Sequence, residues 1–262
     1  MQIRIVTPAM ELWRIEDEFT NVPHSHEERV QLTVPIRGTC HFTQERRKYR
    51  LDEGRALVQH PREEHHFRIG DKSGVIIIQL QTSRMAGGLS ADDFAPMPHI
   101  NARELGARFR EWAGELLLRD PADPLAQQET ESRVASYMSR VLTGAAPPGG
   151  DALPARSKDD PHVARAIEYI RARFRSALTV DELASVALQS RYHFIRSFKA
   201  ATGLSPYQYV LRLRIEEAKR LLRTTRMSVT DISLHLGFAS TSQLHRAFRS
   251  IVGVSPERFR AL

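Results

Sequence analysis

Cysteine is nearly absent: Cys40 is the only one in 262 residues. A single thiol forms no intrachain disulfide and cannot supply the paired cysteines of a zinc finger. Long apolar runs are missing as well. The longest clean aliphatic stretch is Val75–Ile76–Ile77–Ile78, far short of the roughly 20 residues that span a bilayer. The chain passes from Met1–Gln2–Ile3–Arg4 to Glu16–Asp17–Glu18 without a signal-type apolar segment, so a cytoplasmic protein with no membrane partner is expected. A basic excess is missing from the first part of the chain. Residues 1–150 carry 19 Lys and Arg against 21 Asp and Glu, a net of −2, whereas residues 151–262 carry 19 against 10, a net of +9. The positive charge therefore concentrates at the C-terminal end and points to an anionic partner there, nucleic acid or membrane surface. With 41% hydrophobic residues and a net charge of +7, a strongly acidic, self-repelling disordered chain is excluded.

Two regions of different periodicity share this chain. In the first hundred residues, Gln31–Ile36 alternates Leu32, Val34 and Ile36 with polar or turn residues and stops at Gly38. Similar short pieces follow at His41–Thr43, Lys48–Leu51, Ala56–Gln59 and Val75–Gln81, between turn residues such as Asp52–Glu53–Gly54, Pro61 and Gly70–Asp71. This spacing predicts a β-sandwich or small barrel over residues 1–100. Leu105, Phe109, Trp112 and Leu116 then form a helical stripe, and Val134, Tyr137, Met138, Val141 and Leu142 a second one. These give a helical pair over 101–143, read either as packing on the sheet or as a homodimer interface. Residues 144–158, GAAPPGGDALPARSK, have the composition of a flexible linker.

From 159 to 262 every segment is helical in pattern. Asp160–Pro161 is an N-cap followed by Pro at the first helical position, and Val163, Ile167, Ile170 and Phe174 form a stripe. Thr179-Val180-Asp181-Glu182 has the form of a capping box. Ser190 caps a helix that Gly203 ends, Ser205–Pro206 opens a longer one, and Ser228 caps another short one. The domain also repeats itself. Ile195-Arg196-Ser197-Phe198-Lys199 returns as His245-Arg246-Ala247-Phe248-Arg249, and Gly203-Leu204-Ser205-Pro206 as Gly253-Val254-Ser255-Pro256, each displaced by 50 residues. A short helix, a tight turn and a longer helix, present twice in a basic domain, have the spacing of two helix-turn-helix motifs.

In the first longer helix Phe194 and Phe198 mark the buried face, leaving Arg191, Tyr192, Ile195 and Arg196 on other faces. In the second, Leu244 and Phe248 are buried, leaving Thr241, Ser242, Gln243, His245 and Arg246. Arg can bridge guanine O6 and N7, Gln suits adenine, and an exposed Ile can meet a thymine methyl. The competing reading of these residues is an ordinary solvated helix face. Arg212, Arg214, Lys219, Arg220 and Arg223 on the connecting helix are candidates for phosphate contacts, which raise affinity without reading sequence.

The run Ser205-Pro206…Tyr209…Arg212-Leu213-Arg214-Ile215-Glu216-Glu217-Ala218-Lys219-Arg220-Leu221-Leu222, continued by Val229…Ile232…Gly237-Phe238…Phe248…Gly253-Val254-Ser255-Pro256…Phe259-Arg260, resembles the AraC/XylS family of bacterial transcription regulators over about 100 residues. The resemblance implies two helix-turn-helix units bridged by the long helix, with recognition helices at 190–202 and 241–251. It carries base contacts onto Tyr192, Ile195, Arg196, Ser242, Gln243 and Arg246. Two departures bear on the operator sequence: Ile195 sits where a polar reader is common, and Gln243–Leu244 replaces a frequent aromatic pair. The resemblance further implies an N-terminal cupin-like β-barrel, hence a multidomain α+β protein, and double-stranded promoter DNA as a partner. A homodimer, with RNA polymerase as a partner of an activator, also follows from it.

Pro23-His24-Ser25-His26, Gly38, Gly54, Pro61 and His65–His66 follow the order of such a barrel domain. His24 and His26, two apart on a strand, would share one face. His60, His65 or His66 from a later strand would supply a third imidazole for a divalent metal, and His24, His26 and His66 are the set carried forward. Against metal, the Glu of the enzymatic cupin pattern, four residues after the second His, is replaced by Val30. The alternative is a small organic effector at the barrel mouth, met by His24, His26, Arg29, Gln31, His60 and His66. Cys40–His41 reads as a thiol sensor or, more plainly, as a small buried residue. The leading expectation is thus an effector-controlled, sequence-specific transcriptional regulator, an activator sooner than a repressor by family resemblance, that is not an enzyme. A metal-dependent cupin enzyme and a membrane-surface binder are the alternatives.

Overall fold

The computed structural model of the protein describes residues 1–85, 97–118, 123–144 and 160–261. The contacts divide the chain into two units, Met1–Glu115 with Glu131–Gly150 and Leu116–Thr130 with Asp151–Leu262.

Among its described residues the first unit has nine strands: β1 Gln2–Val6, β2 Met10–Glu16, β3 Phe19–Thr20, β4 Arg29–Arg37, β5 Thr39–Gln44, β6 Arg47–Asp52, β7 Leu57–Gln59, β8 His65–Ile69 and β9 Gly74–Gln81. They form a five-stranded sheet in the order β1-β2-β9-β4-β7 and a four-stranded sheet in the order β3-β8-β5-β6. Every pairing is antiparallel. Among the described residues the ladders form these two sheets and do not close into one barrel, so the expected cupin-like barrel is observed as two sheets sharing a core. The apolar run 75–78 becomes β9, the centre of the larger sheet and buried along nearly its whole length, because a strand covered on both faces needs apolar residues at every position. Between the sheets pack Ile15, Leu57, Val75 and Ile77 from one side and Cys40, Phe42, Leu51, Phe67 and Ile69 from the other. Gly38 makes the turn from β4 to β5 at φ 69°, where a Cβ would collide with Ser73.

The helical pair is α1, Ala102–Leu118, and α2, Pro124–Thr143. Leu105, Phe109, Trp112, Val134, Tyr137, Met138 and Leu142 are buried within the single chain, with Trp112 edge-on to Tyr137 at 5.4 Å. The two stripes therefore find their apolar partners internally. Desolvation raises the Tyr137 hydroxyl to about 12. The Pro–Gly segment expected as a linker lies, beyond Gly144, outside the described residues.

The described residues 160–261 form seven helices: α3 Pro161–Arg173, α4 Val180–Val186, α5 Arg191–Thr202, α6 Pro206–Thr224, α7 Val229–His235, α8 Thr241–Val252 and α9 Pro256–Arg260. Their starts are written locally. Asp160, Thr179, Ser190, Ser205, Ser228, Ser240 and Ser255 each cap a first turn through a side-chain oxygen. Ser205 and Gln208 close a full capping box. At Thr179 only half of the expected box forms, because the Glu182 carboxylate accepts the Tyr169 hydroxyl instead. Gly203 and Gly253, at φ 73° and 89°, end α5 and α8 in the left-handed conformation.

Two cores sit side by side along α6. Phe194, Phe198, Leu183, Ile170 and Val210 belong to the first, and Phe248, Leu244, Ile232, Leu222 and Phe259 to the second. Phe174 and Leu211 border both. The division differs from the expected 101–143 helical unit in one respect: Leu125 and Ala126, in the first turn of α2, are buried in the first of these cores.

Candidate functional site

The second unit presents two helix-turn-helix copies, α4–α5 and α7–α8, in one register. Capping by Ser190 and by Ser240 starts α5 and α8 at equivalent points. Phe194 and Phe198 on α5 correspond to Leu244 and Phe248 on α8, and all four are fully buried. Period 3.6 then fixes what faces out. On α5 the outward stripe carries Tyr192, Arg196 and Lys199, and on α8 it carries Ser242, Arg246 and Arg249. The α5 stripe is partly preorganised. Arg196 Nη1 donates to the Tyr192 hydroxyl at 3.2 Å, and its guanidinium lies 5.4 Å from the Tyr192 ring centroid. Arg246 and Arg249 make no side-chain contact of this kind among the described residues, so their five-donor forks are free to meet base edges or phosphates.

Other expected readers are placed differently. Arg191 is bound to Asp181 on α4. Ile195 is half-buried against the first core. Thr241 is half-buried at the start of α8, and His245 Nε2 lies 3.2 Å from the Glu257 carboxylate. Gln243 is a correction: it is 4% exposed and does not share the outward stripe. Its Oε1 accepts the Ala239 amide at 2.8 Å and its Nε2 donates to Asp123 Oδ2 at 3.0 Å. Those bonds use its carboxamide to fix the turn before α8. Arg214 is a second correction. It points into the unit, donating to the Phe174 and Ser176 carbonyls at 2.7 and 2.9 Å, with its guanidinium 4.0 Å from Asp123. Burial draws its pKa down, opposed by the charge of Asp123. Lys219 and Arg220 pair with Glu216 and Glu217 on the same helix, whereas Arg212 and Arg223 are exposed.

In the first unit a polar zone lies beside the apolar core. His24 and His65 pair through an isolated bridge, and His24, His26 and His65 bring one ring nitrogen each within 4.8 Å of one another. His65 therefore takes the place expected for His66. The parity of β8 explains this: Phe67 and Ile69 point into the core, so His65 does too, and His66 faces the other way. The apolar pattern His65–Ile69 carried that signal in the sequence. The Nδ1 of His65 lies 2.9 Å from the Glu63 carbonyl and the Nδ1 of His24 lies 2.8 Å from the Val22 carbonyl. A ring that donates through Nδ1 keeps a lone pair on Nε2, and His65 Nε2 is buried without a hydrogen-bond partner among the described residues. Burial lowers the pKa of His65 to about 4, and burial followed by the neighbouring His24 lowers that of His26.

Around these rings runs a carboxamide network. Gln31 Nε2 donates to Gln59 Oε1 at 2.8 Å, and Gln79 Nε2 donates to Gln31 Oε1 at 2.8 Å and lies 3.0 Å from His26 Nε2. Thr33 also donates to Gln59, whose Nε2 is buried without a hydrogen-bond partner among the described residues. Gln59 and Gln79 were not anticipated as site residues; the cross-strand register that aligns Gln59, Gln31 and Gln79 is invisible to a single-strand pattern. Arg29 pairs with Glu11 and donates to Gln79 Oε1 at 3.3 Å. Burial acts to raise the Glu11 carboxyl, but hydrogen bonds from Arg29, Arg4 and Trp13 hold it below its usual value. The backbone amide of His60 donates to Glu63 at 2.7 Å. Cys40 is fully buried in the core, and desolvation pushes its thiol up to about 12, which removes the thiolate a sensor needs.

Residues 183–262 match the family model described as a helix-turn-helix domain. A protein of Photobacterium leiognathi named as the transcriptional regulator LumQ is 36% identical over 92 residues, which is 35% of this chain and 37% of that protein. The HTH-type transcriptional regulator YobQ of Bacillus subtilis is 25% identical over 243 residues, 92% of this chain and 90% of that one. A Streptomyces antibioticus protein named as an AraC-like transcription regulator is 30% identical over 177 residues, 66% of this chain and 58% of its own length. The chain thus spans about a third of LumQ and somewhat over half of the Streptomyces protein. With the twice-repeated motif at its C-terminal end, the chain carries a helix-turn-helix domain similar to those of AraC-like transcription regulators.

Proposed function

We propose that α5 and α8 enter successive major grooves of promoter DNA, with Arg196 and Arg246 as the principal base readers. Tyr192, Ser242 and His245 are their neighbours in contact. The observation that carries this reading is the matched outward stripe on two helices 50 residues apart, joined by the 19-residue α6. Arg212, Arg223, Lys199 and Arg249 supply phosphate contacts, which makes binding fall steeply with salt. A footprint on a selected site is expected to cover two adjacent grooves per subunit. Protection of one groove alone overturns the paired-motif reading.

In the same reading the regulator answers a small polar effector bound among Gln31, Gln59, Gln79, Arg29, His26 and His65. The support is the buried Gln59 Nε2 and His65 Nε2, which have no hydrogen-bond partner among the described residues. Occupancy shifts the population able to bind the promoter, and the protein then activates by recruiting RNA polymerase, by analogy with the commoner behaviour of the family it resembles. A reporter gene under the bound promoter, with Gln59→Leu or His65→Phe in the full chain, is expected to lose its induction while DNA affinity without inducer stays unchanged. A divalent cation is a second reading, favoured by the converging rings of His24, His26 and His65. Titration of the full chain with Zn²⁺ or Ni²⁺ by calorimetry tests it. Saturable binding that His65→Ala abolishes supports the cation, and its absence leaves the organic effector.

A further inference from the structure

We propose that Asp123 is a positioning residue for the second recognition helix, acting from a segment that precedes the helix-turn-helix region by more than fifty residues. This inference rests on the reading of α8 as a DNA reader. Asp123 lies in the stretch that packs as part of the second unit. Its carboxylate accepts Gln243 Nε2 at 3.0 Å on α8 and stands 4.0 Å from the Arg214 guanidinium on α6. Both charged side chains are nearly excluded from water, at 9% and 5% exposure. The residues that follow tie the same stretch to the rest of the unit. Gln128 Oε1 accepts the Val180 amide at 2.8 Å in the first turn of α4, and Glu129 Oε2 accepts the Tyr207 amide at 3.0 Å in the first turn of α6. Leu125 and Ala126 are buried between these polar anchors. One short segment thus reaches α4, α6 and α8.

The chemistry assigns Asp123 the role that matters for reading. Gln243 holds the turn before α8 through Ala239 and is itself held by Asp123. A buried carboxamide that loses its acceptor costs the desolvation of its N–H, and a buried guanidinium that loses its carboxylate costs more. The unit relieves both by letting Gln243 and the first turn of α8 move, and that turn carries Thr241 and Ser242 one helical turn ahead of Arg246. His193, the residue of the first copy equivalent to Gln243, is exposed, whereas Gln243 is buried. The contacts of Asp123 fall on α8 and α6, so Asp123 sets the aim of α8.

The test is a quantitative footprint of the full chain, with binding-site selection, for Asp123→Ala, Asp123→Asn, Gln243→Glu and the double variant Asp123→Ala/Gln243→Ala. Asp123→Ala and Gln243→Glu are expected to weaken protection of the α8 half-site about tenfold, a change of about 1.4 kcal/mol, and to relax base preference there. The α5 half-site keeps its preference. Asp123→Asn retains an acceptor for Gln243 and restores most of the α8 protection. The double variant is no weaker than Asp123→Ala, because the two residues act through one bond. Parallel weakening of both half-sites, or affinity within twofold of the parent for both Asp123→Ala and Gln243→Glu, overturns the proposal. If Asp123→Ala does not fold, the comparison of Gln243→Glu with Asp123→Asn decides by the same criterion. A parent protein that protects a single groove would instead overturn the paired-motif reading, so the two failures are distinguishable.

Discussion

The turn position of the first helix-turn-helix copy is held by Leu188, a non-glycine residue at φ 51° whose side chain is 71% exposed. The same position in the second copy is Gly237 at φ 72°, and a Cβ there would drive into the carbonyl of Arg175. Three side chains later the contrast recurs, with Ser190 and Ser240 capping alike but His193 exposed and Gln243 buried. In the first copy both of these positions face outward. The second is wedged against the α3–α4 turn, the interior guanidinium of Arg214 and the carboxylate of Asp123. Two sequences with the same local grammar thus meet different tolerances, because tolerance is set by neighbours distant in the chain.

The largest break in that symmetry is expected from Gly237→Ala. Left-handed strain and collision with backbone together should cost about 3 kcal/mol or more in urea unfolding of the second unit. A cost below about 1 kcal/mol would mean that the turn is as open as its counterpart. Removing the outward guanidiniums comes next. Arg196→Ala and Arg246→Ala should each lower affinity for the preferred site by about 1–3 kcal/mol and relax one base position, as read by competition with substituted sites. Equal losses on every sequence would make them phosphate contacts. Tyr192→Phe sharpens the pair further, since it removes a partner of Arg196 and has no equivalent at Ser242. Gln243→Ala should destabilise the fold by about 1–3 kcal/mol through the partners it strands, whereas His193→Ala stays within about 0.5 kcal/mol. Smallest is Leu188→Gly, where relief of left-handed strain and added unfolded-state freedom nearly cancel to less than about 1 kcal/mol either way. A marked loss of thermal stability there would show hidden packing of Leu188.

What could be read from the sequence was what is decided within a few residues. Serine caps, the prolines after them and the glycines at 203 and 253 each act over one turn, and the helices begin and end where those residues place them. The buried phenylalanines follow from period 3.6 for the same reason. In the first unit β4, β5, β6, β7 and β9 are legible in the spacing of their apolar and turn residues, whereas β1, β2, β3 and β8 are not. β1 alternates only weakly and lies at the edge of its sheet. Arg214 misled because a helical arginine usually faces water, and nothing local shows that two carbonyls at the end of α3 await it. Gln243 misled in the same way, since its acceptor is 120 residues away. The histidine exchange from 66 to 65 is a parity error that the neighbouring Phe67 and Ile69 would have resolved.

The 19 residues of α6 have one more consequence. Such a helix is about 28 Å long, and each residue contributes 1.5 Å of rise and a rotation of about 100°. Adding a single residue between the two copies would scarcely change their separation, yet would turn the second reader more than a quarter of a circle away from the first. α6 therefore works as a phase setting more than as a ruler. Insertions in its exposed stretch should be tolerated only in multiples that nearly restore the angle, such as seven residues with a small residual twist. The corresponding operator would have to shift its second half-site along the double helix in step.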